Sequence, residues 1–271
     1  MHAPVPKLTL GSFLRSIWKI LAARPQVPPA LEGNAMLRTI LQRRSARRFA
    51  DRPLPEDAFA AILEAGRLAP STVNLQTWTF AHFTRPSWQS TFGRSIPFKA
   101  ARAVIVLGDL IRSRELLDTL TPSPLVFYTL AVMNASLAAM NMTLAAEALG
   151  VSSVMLSETG RSGLLDAGYL RQTLCLPEGV FPLMTIAFGY PARAEQPMPP
   201  KLPLEEISFS DGKYHPANPA VLDDWLEQMT AGYKASFPFS SLAAQLKVYE
   251  SKIEQAEKDL NKMIFSRDGI A

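Results

Sequence analysis

Apolar residues along the chain recur at two spacings, one typical of amphipathic helices and the other of buried strands. Helical spacing runs through Leu8–Arg24, through a segment that begins at the candidate N-cap Asn34, and through Glu56–Leu68. Short runs rich in apolar residues predict four strands, with another helix around Leu170 between the last two. These strands are Trp78–Phe83, Ala103–Gly108, Ser153–Ser157 and Leu183–Phe188. The pattern therefore predicts helices and strands interspersed along one chain.

The segment Val126–Gly150 is long and apolar enough to be mistaken for a membrane span, and it contains no Lys or Arg. Its polar residues Asn134, Asn141 and Glu147 would each be costly in lipid, and no basic cluster flanks its ends. Its many alanines suit close helix–helix packing. The sequence therefore predicts a central buried helix, with a place at a dimer interface as an extension of that prediction.

Both ends of the chain differ from its middle, and we divide it into an N-terminal arm and linker (1–33), a central domain (34–210) and a C-terminal helical extension (211–271). Leu8–Arg24 in the arm is basic and amphipathic, which permits binding to a membrane surface. We favour docking of its apolar stripe on the protein body or on a partner subunit. In the tail, apolar residues from Leu242 to Met263 alternate at spacings of four and three, the stripe of a short coiled coil or a helix packed on a neighbour.

Composition removes several kinds of site. Hydrophobic residues make up 48% and charged residues 19%, which is ordinary for a soluble globular enzyme. The single cysteine, Cys175, excludes an intramolecular disulfide and any site built from several cysteines, and it fits a reducing cytoplasm. The three histidines have no ligand spacing, so we predict no metal.

The charge is unevenly distributed along the chain. Residues 1–48 hold nine basic residues and one acid, for a net charge of +8, while the remainder carries −4. A basic end on an acidic chain indicates an anionic partner, either a phosphate-bearing ligand, a membrane surface or a nucleic acid. No aromatic residues are interleaved with Arg43–Arg48 and no nucleic-acid motif is present, so we predict no nucleic-acid partner.

The string RRSAR contains the strongest candidate chemistry. Arg43, Arg44, Ser45 and Arg47 lie where a helix gives way to an extended segment. Guanidinium groups bind phosphate oxygens through paired hydrogen bonds, and a hydroxyl donates one more. Alone, the string also fits a solvated basic face.

Six further motifs follow in order. They are DRPLP (51–55), APSTVNLQTW (69–78), AAEALGVS (145–152), LPEGVFP (176–182), FGYP (188–191) and KLPLEEI (201–207). In this order and spacing, from about Met36 to Ile207, the chain resembles the nitroreductase superfamily of FMN-dependent oxidoreductases. The resemblance implies an α+β fold, a mixed and mostly antiparallel sheet flanked by helices, in an intertwined homodimer.

The resemblance also implies the site. Arg43, Arg44, Ser45 and Arg47 would bind the phosphate, ribityl chain and pyrimidine edge of FMN. Contacts with the flavin ring would come from the partner subunit's Pro70, Ser71 and Asn74, with Leu156, Ser157 and Glu158 beside the redox-active edge and Lys201 as a second phosphate ligand. Thr77 departs from the proline usual in the family.

The implied activity is ping-pong hydride transfer from NADH or NADPH through FMN to a flat acceptor such as a nitroaromatic or a quinone. The flavin supplies the reactivity, so no side chain is predicted to be catalytic, and the absence of GxGxxG fits transient binding of the nicotinamide. Alternatives are an FMN-dependent oxidase or dehydrogenase of the same superfamily, and a non-catalytic, membrane-associated flavin-binding module. We expect a cytoplasmic protein.

Overall fold

The computed structural model describes residues 5–157, 163–192, 197–210 and 212–265. The chain forms two compact units. The first comprises the described parts of Met1–Val27 and Glu195–Glu250, and the second those of Pro28–Ala194 and Ser251–Ala271.

Helices and strands follow closely the segments that hydrophobic spacing predicts. The helices are α1 (Leu10–Ala22), α2 (Ala35–Gln42), α3 (Glu56–Arg67), α4 (Arg85–Phe92), α5 (Arg114–Leu117), α6 (Pro124–Ala148), α7 (Ala167–Thr173), α8 (Pro219–Ser236) and α9 (Leu242–Phe265). The strands are β1 (Trp78–Thr84), β2 (Arg102–Asp109), β3 (Ser152–Leu156) and β4 (Val180–Gly189). Asn34 caps α2 as predicted, because its Oδ1 accepts a hydrogen bond of 3.0 Å from the Leu37 amide. The helix α4, which follows β1 directly, and the short helix α5 were not predicted.

The four strands of the second unit form one antiparallel sheet in the order β1-β2-β4-β3. The central strands β2 and β4 pair with Val104 opposite Ile186. Every residue of β2 is buried, which explains its almost wholly apolar sequence. The predicted α+β architecture with an antiparallel sheet is confirmed, and the parallel pairing among the described residues is limited to an isolated bridge between Ser45 and Ser153.

Alternate residues of β2 face two hydrophobic layers, as strand geometry requires. Val104 and Val106 belong to the cluster that contains α3 and α6. Ile105 and Leu107 belong to a second cluster, which includes Trp88 of α4. The sheet is therefore covered by helices on both faces.

The long helix α6 is the core helix that the sequence predicts. By length and composition alone it could cross a membrane. It instead packs against α3 and the sheet through small side chains, several of them fully buried. At the crossing with α3, a Cβ added to Gly66 would lie 2.7 Å from Cγ of Met142, so glycine is needed for the close approach.

In the first unit, α1 packs on α8 through the face opposite to the predicted one. Ser12, Ser16 and Ile20 are buried, and Lys19 forms an ion pair of 2.5 Å with Asp224 of α8. The predicted apolar stripe faces away from α8 and is exposed, and its docking on the protein body or on a partner subunit stays a prediction. Its members are Leu10, Leu14, Trp18 and Leu21. The face of α1 that packs on α8 is thus formed mainly by small residues, which allow two helix backbones to approach closely.

The predicted stripe of α9 is buried only in its second half. Ala256, Met263 and Ile264 are buried, and the last two join the core of the second unit. Leu246 and Ile253 are about half exposed. This half-exposed part leaves the prediction of a coiled coil or a neighbouring helix open.

Candidate active site

The arginine motif lies at the edge of the sheet, beside the start of β3. Arg43 ends α2, and the backbone then runs in extended form. The amide of Ala46 donates a hydrogen bond of 3.0 Å to the carbonyl of Ser153, next to the bridge between Ser45 and Ser153. The methyl group of Ala46 is buried and Arg47 is exposed. The sheet edge therefore holds the backbone of the motif while leaving Arg47 open to solvent.

Two motifs that are far apart in sequence pack together beyond this point. The guanidinium of Arg52, in DRPLP, lies 3.7 Å from the centre of the ring of Tyr190, in FGYP. The amide of Ala50 donates to the carbonyl of Tyr190 at 2.8 Å. A Cβ on Gly189 would lie 2.9 Å from Phe49, which explains the glycine of FGYP. This packing shows why both motifs accompany the arginines.

The side chain of Arg44 folds back onto the end of α2. Its Nη1 donates to the carbonyls of Leu41 and Arg43, both at 2.8 Å, at the end of α2. Its Nε is buried and has no hydrogen-bond partner among the described residues, and the same is true of Oγ of Ser153. These buried groups without partners, beside the exposed Arg47, are chemically suited to an anionic, oxygen-rich ligand.

A carboxylate at the end of α6, that of Glu147, lies close enough to Arg43 and Arg44 to feel their charges. Burial raises the pKa of Glu147, and the nearby charges of Arg43 and Arg44 partly oppose that rise. Burial, with a smaller contribution from Arg43, lowers the pKa of Arg44, and Glu147 opposes it. One oxygen of Glu147 is buried with no hydrogen-bond partner among the described residues. The predicted phosphate-binding segment thus carries an internal counter-charge.

The motif APSTVNLQTW forms a tight loop before β1. Pro70 and Asn74 are exposed, and Oγ of Ser71 accepts a hydrogen bond of 3.0 Å from the amide of Gln76. Val73, Asn74 and Gln76 have positive φ angles of 49°, 57° and 49°. Such angles are uncommon outside glycine, so the surrounding structure must hold the loop in this shape.

The other predicted residues lie in three places. Leu156 is buried at the end of β3, and the adjacent Ser157 is exposed and accepts a hydrogen bond of 3.3 Å from Leu165. Glu158 lies outside the described residues. Lys201 is exposed and belongs to the first unit. The structure therefore brings the arginine motif next to β3, and Lys201 stays a prediction.

Sequence reasoning did not assign a role in the site to Asn134, Glu147 or Ser153. The sequence does mark Asn134 and Glu147 as candidates, since both are polar residues in an otherwise apolar helix. It does not mark Ser153, because a serine in a strand is common. An open cleft of about 390 Å³ on the second unit contains none of the predicted flavin ligands; it is lined by residues that include Thr79, Asp109 and Arg112.

Solved structures share this architecture. NfrA2 of B. megaterium superposes with a TM-score of 0.69 over 86% of this chain and 98% of that one, at 19% identity. The NADPH:FMN oxidoreductase from Vibrio harveyi, solved with NAD⁺, gives a TM-score of 0.66 over 85% and 98%, at 21% identity. The chain therefore has the fold of these two proteins.

The sequence profile described as "Nitroreductase family" matches residues 40–87 and 83–190, more than half of the chain. A relative from Archaeoglobus fulgidus, whose name includes "NADH dehydrogenase/NAD(P)H nitroreductase", is 33% identical over 57% of this chain and 84% of its own length. The "FMN reductase (NADPH)" of Bacillus subtilis is 25% identical over 64% and 72%. The chain belongs to the nitroreductase family and is an oxidoreductase, as its motifs predicted.

Proposed function

We propose that this protein is an FMN-dependent oxidoreductase that uses NADH or NADPH to reduce a flat acceptor such as a nitroaromatic or a quinone. The observation that carries the proposal is the arginine motif at the edge of β3, with an exposed guanidinium at Arg47 and buried groups without partners at Arg44 and Ser153. Relatives named for NAD(P)H nitroreductase and FMN reductase activity support the same assignment.

The residues present fit FMN. Its phosphate carries about two negative charges, by analogy with phosphoserine. Arg43, Arg44 and Arg47 supply fixed positive charge, and the hydroxyl of Ser45 supplies a further donor. A guanidinium near the pyrimidine edge would also favour negative charge on the ring. When bound, FMN supplies the hydride chemistry, and the protein supplies orientation, charge and a cavity over one ring face.

The remaining ligands belong to a homodimer in this proposal. Pro70, Ser71 and Asn74 of one subunit would contact the ring held by the other, with Leu156, Ser157 and Glu158 beside its reactive edge and Lys201 near the phosphate. An exposed apolar face of α6 supports an interface between subunits, because contiguous apolar surface marks sites of association. The face includes Leu125, Val126, Met133, Leu137 and Met140.

A cytoplasmic location fits this function, because the exposed thiol of Cys175 is compatible with a reducing compartment. A second candidate property, attachment of the enzyme to an anionic membrane surface, rests on the exposed apolar face of α1. Leu10, Leu14 and Trp18 on this face are all more than half exposed, and no acid precedes Glu32. Sedimentation with anionic vesicles that is abolished by Trp18→Glu would support attachment, and no sedimentation would remove it.

Anaerobic reduction tests the main function directly. The purified protein, supplied with FMN and freed of unbound flavin, is expected to lose its absorbance near 450 nm on addition of NADH or NADPH and to regain it with a quinone or nitroaromatic. A protein that retains no FMN would overturn the proposal. Flavin that is bound yet reduced only by an organic substrate would favour the oxidase or dehydrogenase alternative.

A further inference from the structure

The loop 69–78 is tied at both ends to a single amide in the middle of α6. Oδ1 of Asn134 accepts hydrogen bonds from the amide and the hydroxyl of Thr72, at 3.0 and 3.2 Å. Its Nδ2 donates to Oγ1 of Thr77 at 2.9 Å. Asn134 and Thr77 are 1% and 0% exposed, so the bond between them is shielded from water, while the bonds from the half-buried Thr72 are partly shielded. One side chain thus bridges the two ends of the turn that carries Asn74.

The buried amide of Asn134 needs hydrogen-bond partners, and the loop needs restraints that hold its shape. Asn134 sits among fully buried alanines, where an unbonded amide would be costly. The loop in turn holds Val73, Asn74 and Gln76 at positive φ, a shape that a free segment of these residues would leave. Further bonds inside the loop and from Ser113 to Leu75 (2.6 Å) act on its middle. The anchors from α6, at Thr72 and Thr77, enclose the strained residues.

Thr77 has a specific part in this anchor. The nitroreductase pattern usually has proline at the position of Thr77, and proline restricts the backbone without offering a hydroxyl. In this chain the hydroxyl of Thr77 accepts from Asn134 instead. The pair of Thr77 and Asn134 therefore supplies by hydrogen bonding a restraint on the end of the loop that a proline ring would supply covalently.

We propose that Asn134 is a positioning residue for flavin binding, which holds the loop in the shape that presents Ser71 and Asn74 to the ring of the partner subunit's FMN. This inference rests on the proposed function. Without the anchor the loop spends less time in its competent shape, and the apparent dissociation constant rises by the inverse of the competent fraction. The effect acts on ring contacts and leaves phosphate contacts alone.

The test compares Asn134→Leu, which keeps the branched shape and removes every hydrogen bond, with Asn141→Leu. Asn141 lies on the same helix, and its Nδ2 donates at 3.1 Å to the carbonyl of Ala65 in α3, away from the loop. Affinities of the dimeric protein for FMN and riboflavin are measured by quenching of flavin fluorescence, with the melting temperature recorded for each variant. Hydrogen exchange of the amides in residues 71–76 is followed without flavin.

We expect Asn134→Leu to weaken binding of FMN and riboflavin by the same factor, about tenfold or more. It should also speed exchange in the loop. Asn141→Leu should leave flavin affinity and loop exchange within about twofold of the wild type, even where it lowers the melting temperature. It removes one hydrogen bond of ordinary strength, and that bond lies away from the loop. Thr77→Val should weaken flavin binding and Thr77→Ser should restore it. The two Thr77 variants keep the test decisive if Asn134→Leu does not fold.

Equal flavin affinity and equal loop exchange in Asn134→Leu and Asn141→Leu would overturn the inference while leaving the proposed function intact. Loss of FMN affinity alone, with riboflavin unaffected, would also overturn it, because that result places the effect at the phosphate. Failure of the wild-type protein to bind FMN would overturn the proposed function and this inference together.

Discussion

Replacing Arg47 by alanine isolates the contribution of one phosphate contact. Arg47 is exposed, and its side chain has no hydrogen-bond or ion-pair partner within the described part of the chain, so we expect its removal to leave the fold intact. We expect the free energy of unfolding to stay within about 0.5 kcal/mol of the wild-type value. A charge-assisted hydrogen bond contributes about 1.5–3 kcal/mol, so FMN affinity should fall about 10- to 150-fold.

Arg48→Ala is the matched control. Arg48 is the next residue, is also exposed and carries the same charge, but it is absent from the predicted site. At physiological salt, where exposed charges are screened beyond about 8 Å, its removal should change FMN affinity less than about threefold. Titration of each apoprotein with FMN, followed by flavin fluorescence, measures the difference. Equal dissociation constants for Arg47→Ala and Arg48→Ala would refute the placement of the phosphate.

Three further predictions concern stability, each measured by chemical or thermal unfolding. Trp88→Ala should cost about 3–5 kcal/mol, because Trp88 is fully buried with its ring 4.4 Å from that of Phe92; a loss below about 1 kcal/mol would contradict that packing. Gly163→Ala should lower the free energy of unfolding by at least about 2 kcal/mol, since φ of Gly163 is 103° and a Cβ would lie 2.6 Å from the Met184 amide nitrogen. A variant as stable as the wild type would contradict this backbone conformation. Glu147→Gln should stabilise the protein at neutral pH, because a raised carboxyl pKa means that the folded state is penalised once pH rises through it. The added stability of the variant should vanish as pH falls below the usual glutamate pKa. Added stability only at acidic pH would contradict a raised pKa for Glu147.

Local patterning was sufficient to predict much of the fold. The β2 segment is apolar at nearly every position, and a strand buried on both faces needs nothing else to be recognised. Asn34 and the apolar spacing after it likewise define α2 from local chemistry alone. The order of the strands was not predicted, because pairing between β2 and β4 joins segments far apart in the chain.

Features that depend on tertiary packing were harder to predict. The helix α4 has only short apolar spacing of its own, and Trp88 and Phe92 acquire their role from contact with Phe83 of β1. The side of α1 that packs on α8 could not be predicted from apolar spacing either, because its buried residues Ser12 and Ser16 are small and polar.

The parts of the candidate site that form a local motif could be predicted from the sequence. The parts that depend on a hydrogen bond between residues far apart in the chain could not. The string RRSAR stands out in the sequence as a local candidate for phosphate binding, whereas its place beside β3 is known only from the structure. Asn134 was visible only as a polar residue that disfavours a membrane span, since its partners Thr72 and Thr77 are about sixty positions away. Single-sequence patterns do not contain such pairings.

The affinity of the wild-type protein for FMN relative to riboflavin tests the central claim most directly. The two flavins share the ring and ribityl chain and differ by the phosphate that Arg43, Arg44 and Arg47 are proposed to bind. We predict one FMN bound per chain, with riboflavin bound at least about a hundredfold more weakly, the equivalent of two charge-assisted hydrogen bonds. Equal affinity for the two flavins, or no binding of either, would contradict the account.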